Sequence, residues 1–479
     1  MDVVSSLKYF VPELILTGGS LAVLLLDLFN LNKKILGLLS VLSIVLAFLS
    51  LPTTIHQPIW IFSELYLLDG LGHLFKIFVF LATGISILAT INSDQIPEKQ
   101  KGEFYVLMLA LAFLLIVMGS STNLLMIFLA IESVSLTSYI LVGFQKFNKR
   151  SSEASLKYLL FGAVASATML FGISLLFGLT GTLELTQMSI AITQGGPDSI
   201  RCALVSLLFL LVGFGFKVSM VPFHMWAPDV YEGAPTPVAA FLTVAPKSLG
   251  FVVLFRLLLI AFPFAYAKWS SILTVLSILT MTIGNVVAVS QSNVKRILAY
   301  SSIAQAGYVL MGLATANEIG IQAIFIYLTT YLFTNLGAFL TVSIIEQSEK
   351  SNNLSAYNGL GKRSPGLAAT LTIFLLSLAG IPPLAGFIAK WYVFASAMQG
   401  KFLVLAISAA LNSAIAGYYY FKIVKAIYLT PAEQISPVRT NSFSRVAVLI
   451  ALAGVIVIGL FPSPIISIIQ NVLASFRMV

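Results

Sequence analysis

Charge is what this chain lacks most. Only 9% of its 479 residues are Asp, Glu, Lys or Arg, while 58% are hydrophobic; a soluble protein of this length carries roughly 25% charged residues. An extensive water-facing surface is excluded, and the mean hydropathy of +0.99 marks a polytopic membrane protein. Cysteine is nearly absent too: Cys202 stands alone, which excludes an internal disulfide and any iron–sulfur cluster ligated by this chain alone. Histidine is scarce and scattered, and His56, His73 and His224 give no metal-ligand spacing. No glycine-rich phosphate loop follows a strand, so no nucleotide site is expected. The first apolar segment lacks the layout of a cleavable signal peptide and reads as a first span. A net charge of +9 would suit nucleic acid in a soluble protein; here it reads as basic residues retained in cytoplasmic loops.

What is there is one apolar stretch after another. Against the 20 or so residues needed to cross a bilayer, the sequence predicts fourteen spans, at 8–29, 33–51, 68–91, 103–120, 122–145, 153–180, 202–222, 236–262, 268–290, 295–315, 319–346, 366–398, 401–429 and 444–468. Turn signals such as Asn-Ser-Asp-Gln at 92–95 and Gly-Lys-Arg-Ser-Pro at 361–365 separate them. No intervening stretch is large enough to fold as a soluble domain. Basic residues fall mostly in loops after odd-numbered spans: Lys33 and Lys34, Lys99 and Lys101, Lys146 to Arg150, Lys295 and Arg296, Lys350 to Arg363, and Arg439 with Arg445. The positive-inside rule places those loops in the cytoplasm and both termini outside.

Where charge does interrupt the apolar runs, it clusters with helix breakers. Lys217 and Lys247 bracket Pro222-Phe-His224-Met-Trp-Ala-Pro228-Asp229-Val-Tyr-Glu232-Gly-Ala-Pro235-Thr-Pro237. A lysine in hydrocarbon costs a few kcal/mol even on lenient scales, and broken backbone at membrane depth is tolerated only where protein or a wet cavity covers it. Gly213-Phe-Gly-Phe-Lys217 recurs as Gly386-Phe-Ile-Ala-Lys390, each beside prolines (Pro222; Pro382 and Pro383). The copies lie five spans apart, and an odd offset inverts one relative to the other. Broken helices at matching places in inverted halves point to a transporter's ion site. Glu132, near the middle of span 5, would hold its proton if isolated, and Lys217 is its expected partner. Lysine suits a relay because it can release a proton when buried, whereas arginine stays charged.

The bland readings stand beside these. Glu132 could be a permanently paired structural acid, and Lys247 and Lys390 fixed counter-ions, although both sit too centrally to snorkel. Lys157, one turn into span 6, is equally a snorkelling side chain or a relay group. His224 could switch its charge or serve as a hydrogen-bonded structural group. Asp229 and Glu232 read as caps for span 8, Asp69, His73 and Lys76 as an interfacial polar stripe, and Arg256 as pointing away from Lys247.

Two stretches carry a resemblance to a known family. Pro222 to Leu242, and Asn293-Val-Lys-Arg-Ile-Leu-Ala-Tyr-Ser-Ser-Ile-Ala-Gln-Ala-Gly-Tyr308, closely resemble the antiporter-like membrane subunits of proton-pumping NADH:quinone oxidoreductase, respiratory complex I. The resemblance extends over all fourteen spans. It implies an all-α polytopic membrane protein with two inverted five-helix repeats containing broken helices: three helices in 1–101, a first half in 102–265, a second in 266–430 and a last helix in 431–479. It implies a proton channel in which Glu132 and Lys217 govern uptake, Lys247 relays and Lys390 leads out, with His224 and Lys157 as weaker candidates. No cofactor is expected on this chain; FMN, iron–sulfur clusters and quinone belong to partner subunits. The implied setting is a bacterial inner membrane, among the other membrane and peripheral subunits and the lipid bilayer, with no nucleic acid. A subunit of a multi-subunit cation/proton antiporter, or of a membrane-bound hydrogenase-type complex, would share the same core motifs.

Overall fold

The computed structural model describes residues 3–52, 58–63, 65–432 and 436–476; His56 lies outside them. The chain is almost wholly helical. Its longer helices are α1 (Val11–Leu28), α2 (Lys33–Leu49), α3 (Gly70–Thr90), α4 (Lys101–Ser120), α5 (Leu124–Val142), α6 (Lys149–Thr180), α7 (Gly196–Val218), α8 (Thr236–Arg256), α9 (Tyr266–Ser290), α10 (Val294–Thr315), α11 (Glu318–Glu349), a broken α12a (Pro365–Ala379) and α12b (Ala385–Gln399), α13 (Leu403–Leu429) and α14 (Ser442–Leu460). Twelve helices among the described residues are long and apolar enough to cross a membrane unaided. At 17 residues, α2 reaches about 25 Å, the short end of the crossing range.

Polar side chains in the loops set where many of these helices start. Asp69, Asn123, Asn148, Asn293, Asn317 and Asn441 each accept a hydrogen bond from a backbone N–H in the first turn that follows, satisfying donors that have no partner inside the helix. Helix contacts are close where glycine permits. A methyl at Gly284 of α9 would stand 2.7 Å from the Ala304 nitrogen of α10, and one at Gly307 would stand 2.7 Å from the Met281 nitrogen. Small residues of this kind let helices pack where lipid gives no hydrophobic drive between them. The result is a sheathed centre: α8 is buried along its whole length and α10 and α11 nearly so. By contrast α1, α2, α6 and α13 turn apolar side chains such as Leu28, Leu49, Val164 and Leu411 outward.

Loops after odd-numbered spans meet on one face. Gln95 donates to Glu346 at 2.7 Å and accepts from the Thr236 nitrogen at 2.8 Å, while Asn293 donates to Glu232 at 3.2 Å. Two junctions within the bundle match. At the start of α5, Asn123 bridges Glu184 in antiparallel fashion, with Leu124 N donating to Leu183 O at 2.7 Å and Leu185 N to Thr122 O at 3.2 Å. At the start of α10, Asn293 bridges Asn353 in the same way, with bonds of 2.8 and 2.9 Å. Five helices separate the two.

Several expectations need correction. The twelfth span is not continuous, because 380–384 breaks it. The seventh ends at Val218, and a short helix, Trp226–Gly233, follows. The last ends at Leu460, before Pro462 and a separate helix, Ser463–Phe476, that folds back on α3 and α11. Nor are Asp69 and Lys76 an interfacial stripe. Both are buried in ion pairs: Asp69 with Arg256 at 2.7 Å, and Lys76 with Glu13 at 2.6 Å, where Tyr66 also donates to Glu13 at 2.5 Å. A short hairpin, β1 (Ile59–Ile61) with β2 (Tyr66–Leu68), brings Tyr66 there. Sequence spacing put these groups on one helix face but held no sign that α1 and α8 would cover that face.

Removing one partner of a fully buried pair leaves a charge without compensation, at about 3–5 kcal/mol. Asp69→Ala is expected to lower the thermal stability of the detergent-solubilised protein by that order. The double variant Asp69→Ala/Arg256→Met should recover most of the loss, and equal destabilisation of single and double variants would show that the pair is not the source.

Candidate functional site

Three buried amines lie along the sheathed centre. Lys217, in the last turn of α7, donates to the Ser135 hydroxyl of α5 at 3.0 Å. Lys247, one residue after Pro246 in α8, donates to the Ser302 hydroxyl of α10 at 2.7 Å and to its carbonyl at 3.3 Å, and lies 5.2 Å from the Tyr231 ring centre. Lys390, in α12b, donates to Ser413 of α13 and to the Ala379 carbonyl, both at 2.8 Å, and lies 4.9 Å from the Tyr308 ring centre. Each is no more than 5% exposed. None is in an ion pair, although the described residues contain buried pairs elsewhere. Hydroxyls, carbonyls and aromatic faces receive these amines instead of carboxylates.

The helix breaks create these positions. The chain turns at Ser219 (φ 59) after α7 and at Gly380 (φ 87) after α12a, and each break contains a cis X–Pro bond, Val221-Pro222 and Pro382-Pro383. Carbonyls freed by the breaks find other donors: Phe216 O accepts from the Trp226 indole at 3.2 Å, and Ala379 O accepts from Lys390. Trp226 stacks on Tyr158 of α6 at 4.3 Å, fixing the short helix after the first break. At the second, a methyl on Gly386 would stand 1.8 Å from the Ser377 carbonyl, and one on Gly380 would stand 2.7 Å from Lys390 Cδ. Neither site has room for a side chain.

Glu132 does not touch Lys217. It is half-buried and accepts a hydrogen bond from Ser166 of α6; Ser135, which holds Lys217, lies one turn further along α5. The Lys217 stem lies against α8: a methyl on Gly250, three residues beyond Lys247, would stand 3.3 Å from Lys217 Cγ. His224 is buried inside the first break, and its Nδ1 is bonded to no described protein group. Lys157 stands apart from the buried amines. Its side chain is 40% exposed and pairs with Glu153 and Asp229, both at 2.8 Å. Arg296 joins this cluster, pairing with Asp229 and Glu232 at 2.8 Å each. Part burial alone would raise the Asp229 carboxyl, but hydrogen bonds from Lys157 and Arg296 outweigh it and hold the group below the usual carboxylate range. Asp229 and Glu232 therefore bind cations of neighbouring helices rather than cap α8.

Between Lys247 and Lys390 runs a polar chain that the sequence reading passed over. Ser301, beside Ser302, bonds the Tyr420 hydroxyl at 2.6 Å; Gln305 donates to Tyr420 and to the Leu378 carbonyl, each at 3.2 Å, and accepts from Tyr327. Tyr308 stacks on Tyr327. The signal was present: Ser301, Ser302, Gln305 and Tyr308 recur at helical spacing inside an apolar span, which makes one polar stripe.

The Gly380 position yields a prediction. Alanine there would meet both an unfavourable backbone, worth about 1 kcal/mol, and the Lys390 side chain. Gly380→Ala should depress ion translocation by the assembled protein, whereas Gly366→Ala, where nothing lies within 4 Å, should not. Equal transport by the two variants would sink the assignment of Gly380 as the seat of Lys390.

A bundle of apolar helices with two breaks, each beside a buried lysine, belongs to the class of ion-translocating membrane proteins. Comparison with known proteins gives the family. Residues 121–416 match the family described as NADH:quinone oxidoreductase/Mrp antiporter, TM. The chain is 39% identical to NADH-quinone oxidoreductase subunit N of Trichlorobacter lovleyi, over 97% of this chain and 96% of that one. It is 40% identical to F(420)H(2) dehydrogenase subunit N of Methanosarcina mazei, over 96% of each. A chain of respiratory complex I from Thermus thermophilus superposes with a TM-score of 0.81 at 33% identity, covering 95% of this chain and 98% of that one. This chain belongs to the NADH:quinone oxidoreductase/Mrp antiporter family of membrane subunits.

Proposed function

We propose that this chain is a membrane-arm subunit of a proton-translocating NADH:quinone oxidoreductase and carries one proton channel of that complex. The observation that carries the reading is the series of three buried lysines, each held by a serine hydroxyl and none by a carboxylate. An amine without a fixed counter-ion costs little to leave neutral and little more to charge when a neighbour's charge changes, since Coulomb coupling is strong in a low-dielectric interior. That is the requirement for a proton relay driven from a distance.

In this reading a proton is taken up near Glu132 and Lys217, passes to Lys247, moves along the Ser301–Gln305–Tyr420 chain and leaves through Lys390. The loops after odd-numbered spans face the cytoplasm, both termini face outward, and the setting is a bacterial inner membrane. The matched junctions at Asn123/Glu184 and Asn293/Asn353, together with the matched breaks, support two inverted halves over 102–265 and 266–430, preceded by 1–101 and followed by 431–479. FMN, iron–sulfur clusters and quinone reside in partner subunits, so electron transfer is remote from this chain. His224 sits at the hinge of the first half, and Lys157 belongs to the ion-pair cluster at its mouth.

The test is proton pumping by the assembled complex in inverted membrane vesicles. Lys217→Ala and Glu132→Ala should lower the protons moved per NADH oxidised while leaving the complex intact, and Lys390→Arg should do the same because a guanidinium keeps its proton at working pH. Normal ratios in all three, in fully assembled complexes, would refute the relay. Co-purification with small cation-transport partners, and without flavin and iron–sulfur proteins, would favour the antiporter reading instead.

A further inference from the structure

A polar cavity of about 300 Å³ opens on the face where the odd-numbered loops meet, lined by Asp94, Gln95, Arg150, Thr236, Lys295 and Glu346 among others. Glu346 is its best-connected group. Gln95 donates to it at 2.7 Å, Asn352 at 2.5 Å and the Thr236 hydroxyl also, while the buried Lys295 ammonium stands 3.8 Å away and donates to the Ala234 carbonyl at 2.9 Å. The Glu346 side chain remains 24% exposed, on the cavity side. Neither resemblance nor loop charge had drawn attention to this carboxylate.

The cavity floor is the first residue of α8, the helix that carries Lys247. From there α8 and α11 run antiparallel in contact, and their seam is polar at successive levels. Thr236 meets Glu346, then Asn335 donates to the Thr243 hydroxyl at 2.7 Å, and one turn on stands Lys247 with Ser302. Asn335 is wholly buried, yet its Oδ1 is bonded to no described protein group. A buried carbonyl of that kind calls for a water, as nearly all such groups are satisfied. Eleven residues of helix from Thr236 to Lys247 span about 16 Å, the length of roughly six hydrogen bonds in a row.

Resting on the proton-channel reading above, we propose that Glu346 is the proton-collecting group of a second inlet, which feeds Lys247 directly along the α8/α11 seam without passing Glu132 or Lys217. The Glu346 carboxylate takes a proton from cavity water and hands it to a water file ordered by Thr243 and Asn335. The file protonates the neutral Lys247 amine, and Glu346 returns to its anionic form with Lys295 beside it. No other bond changes, and each proton taken from the cavity leaves through Lys247.

The experiment measures protons translocated per NADH oxidised in inverted vesicles carrying the whole complex, with NADH oxidation by an artificial acceptor as the check on assembly. Lys247→Met sets the scale of loss. Glu346→Gln, which keeps the shape but removes the carboxylate, and Asn335→Leu, which removes the polar step beside Thr243, should each lose part of what Lys247→Met loses, because the Glu132/Lys217 inlet still feeds Lys247; Glu346→Asp should restore most of the ratio. A parent-like ratio in Glu346→Gln and Asn335→Leu, alongside a loss in Lys247→Met, would overturn the inlet and leave the channel reading standing. Failure of Glu346→Asp to recover what Glu346→Gln loses would likewise overturn it, since aspartate retains a carboxylate that can take and pass on a proton. A parent-like ratio in Lys247→Met itself would overturn the channel reading on which the inlet rests.

Discussion

The constraint on which this structure depends is the cost of an amine in a medium that solvates it poorly. An ammonium removed from water loses several kcal/mol of hydration even after the surroundings relax, and a carboxylate partner is the usual remedy. Lys217, Lys247 and Lys390 lack that remedy. What replaces it is distributed: one hydroxyl each, the carbonyl at Ala379 freed by the second break, the Ser302 carbonyl, and the ring faces of Tyr231 and Tyr308. Such partners can serve the charged amine as acceptors, and a serine hydroxyl can turn to donate to the neutral one. A fixed carboxylate favours only the charged state. The chemistry of the site therefore lies in which partners were withheld.

Withholding them would be useless if the backbone were continuous. In an unbroken apolar helix every carbonyl is committed four residues on, and a buried lysine would meet only hydrocarbon. The turns at Ser219 and Gly380 release carbonyls and let short segments enter from the side. Gly386 then settles against the Ser377 carbonyl so closely that no side chain would fit. Protein covers Ser219, Met220 and Val221 at the first break, while Pro222, Pro382 and Pro383 lie on the outside of the bundle.

Much of this was legible in the residues. Apolar run length and loop charge gave the membrane class and the parity of the loops, and the lysines beside prolines marked both breaks. What escaped has a common cause. Hydrogen-bond partners such as Ser135, Ser302 and Ser413 are small polar residues that occur throughout membrane helices, and one sequence does not say which of them faces an amine. The burial of Asp69 and Lys76 depended on α1 and α8 closing over α3, a long-range event with no local signature. Depth along a span was readable for Lys157 and Glu132, but the hydrogen-bond partners were not: Lys157, open as snorkelling or relay, pairs with Glu153 and Asp229, and Glu132 accepts from Ser166 of α6.

The same chain also contains buried charges of the ordinary kind, and the contrast sharpens the argument. Lys76 is as buried as Lys247, yet it sits against Glu13, which Tyr66 also bonds. Arg256, on the same helix as Lys247, is locked to Asp69 with both side chains fully buried. These pairs join α1 and α3 to the end of α8 and have no reason to change charge: each ion is matched by another, and a guanidinium holds its proton under any working condition. Burial alone therefore does not mark a relay in this fold. In the proposed relay each group is buried, in no ion pair and beside a broken helix, and among the described lysines Lys217 and Lys390 meet all three conditions directly. Lys247 meets the first two, and a helix-interior proline at 246 stands where the others have a break. Its amine reaches the opposite helix at Ser302, where the polar chain toward Lys390 begins.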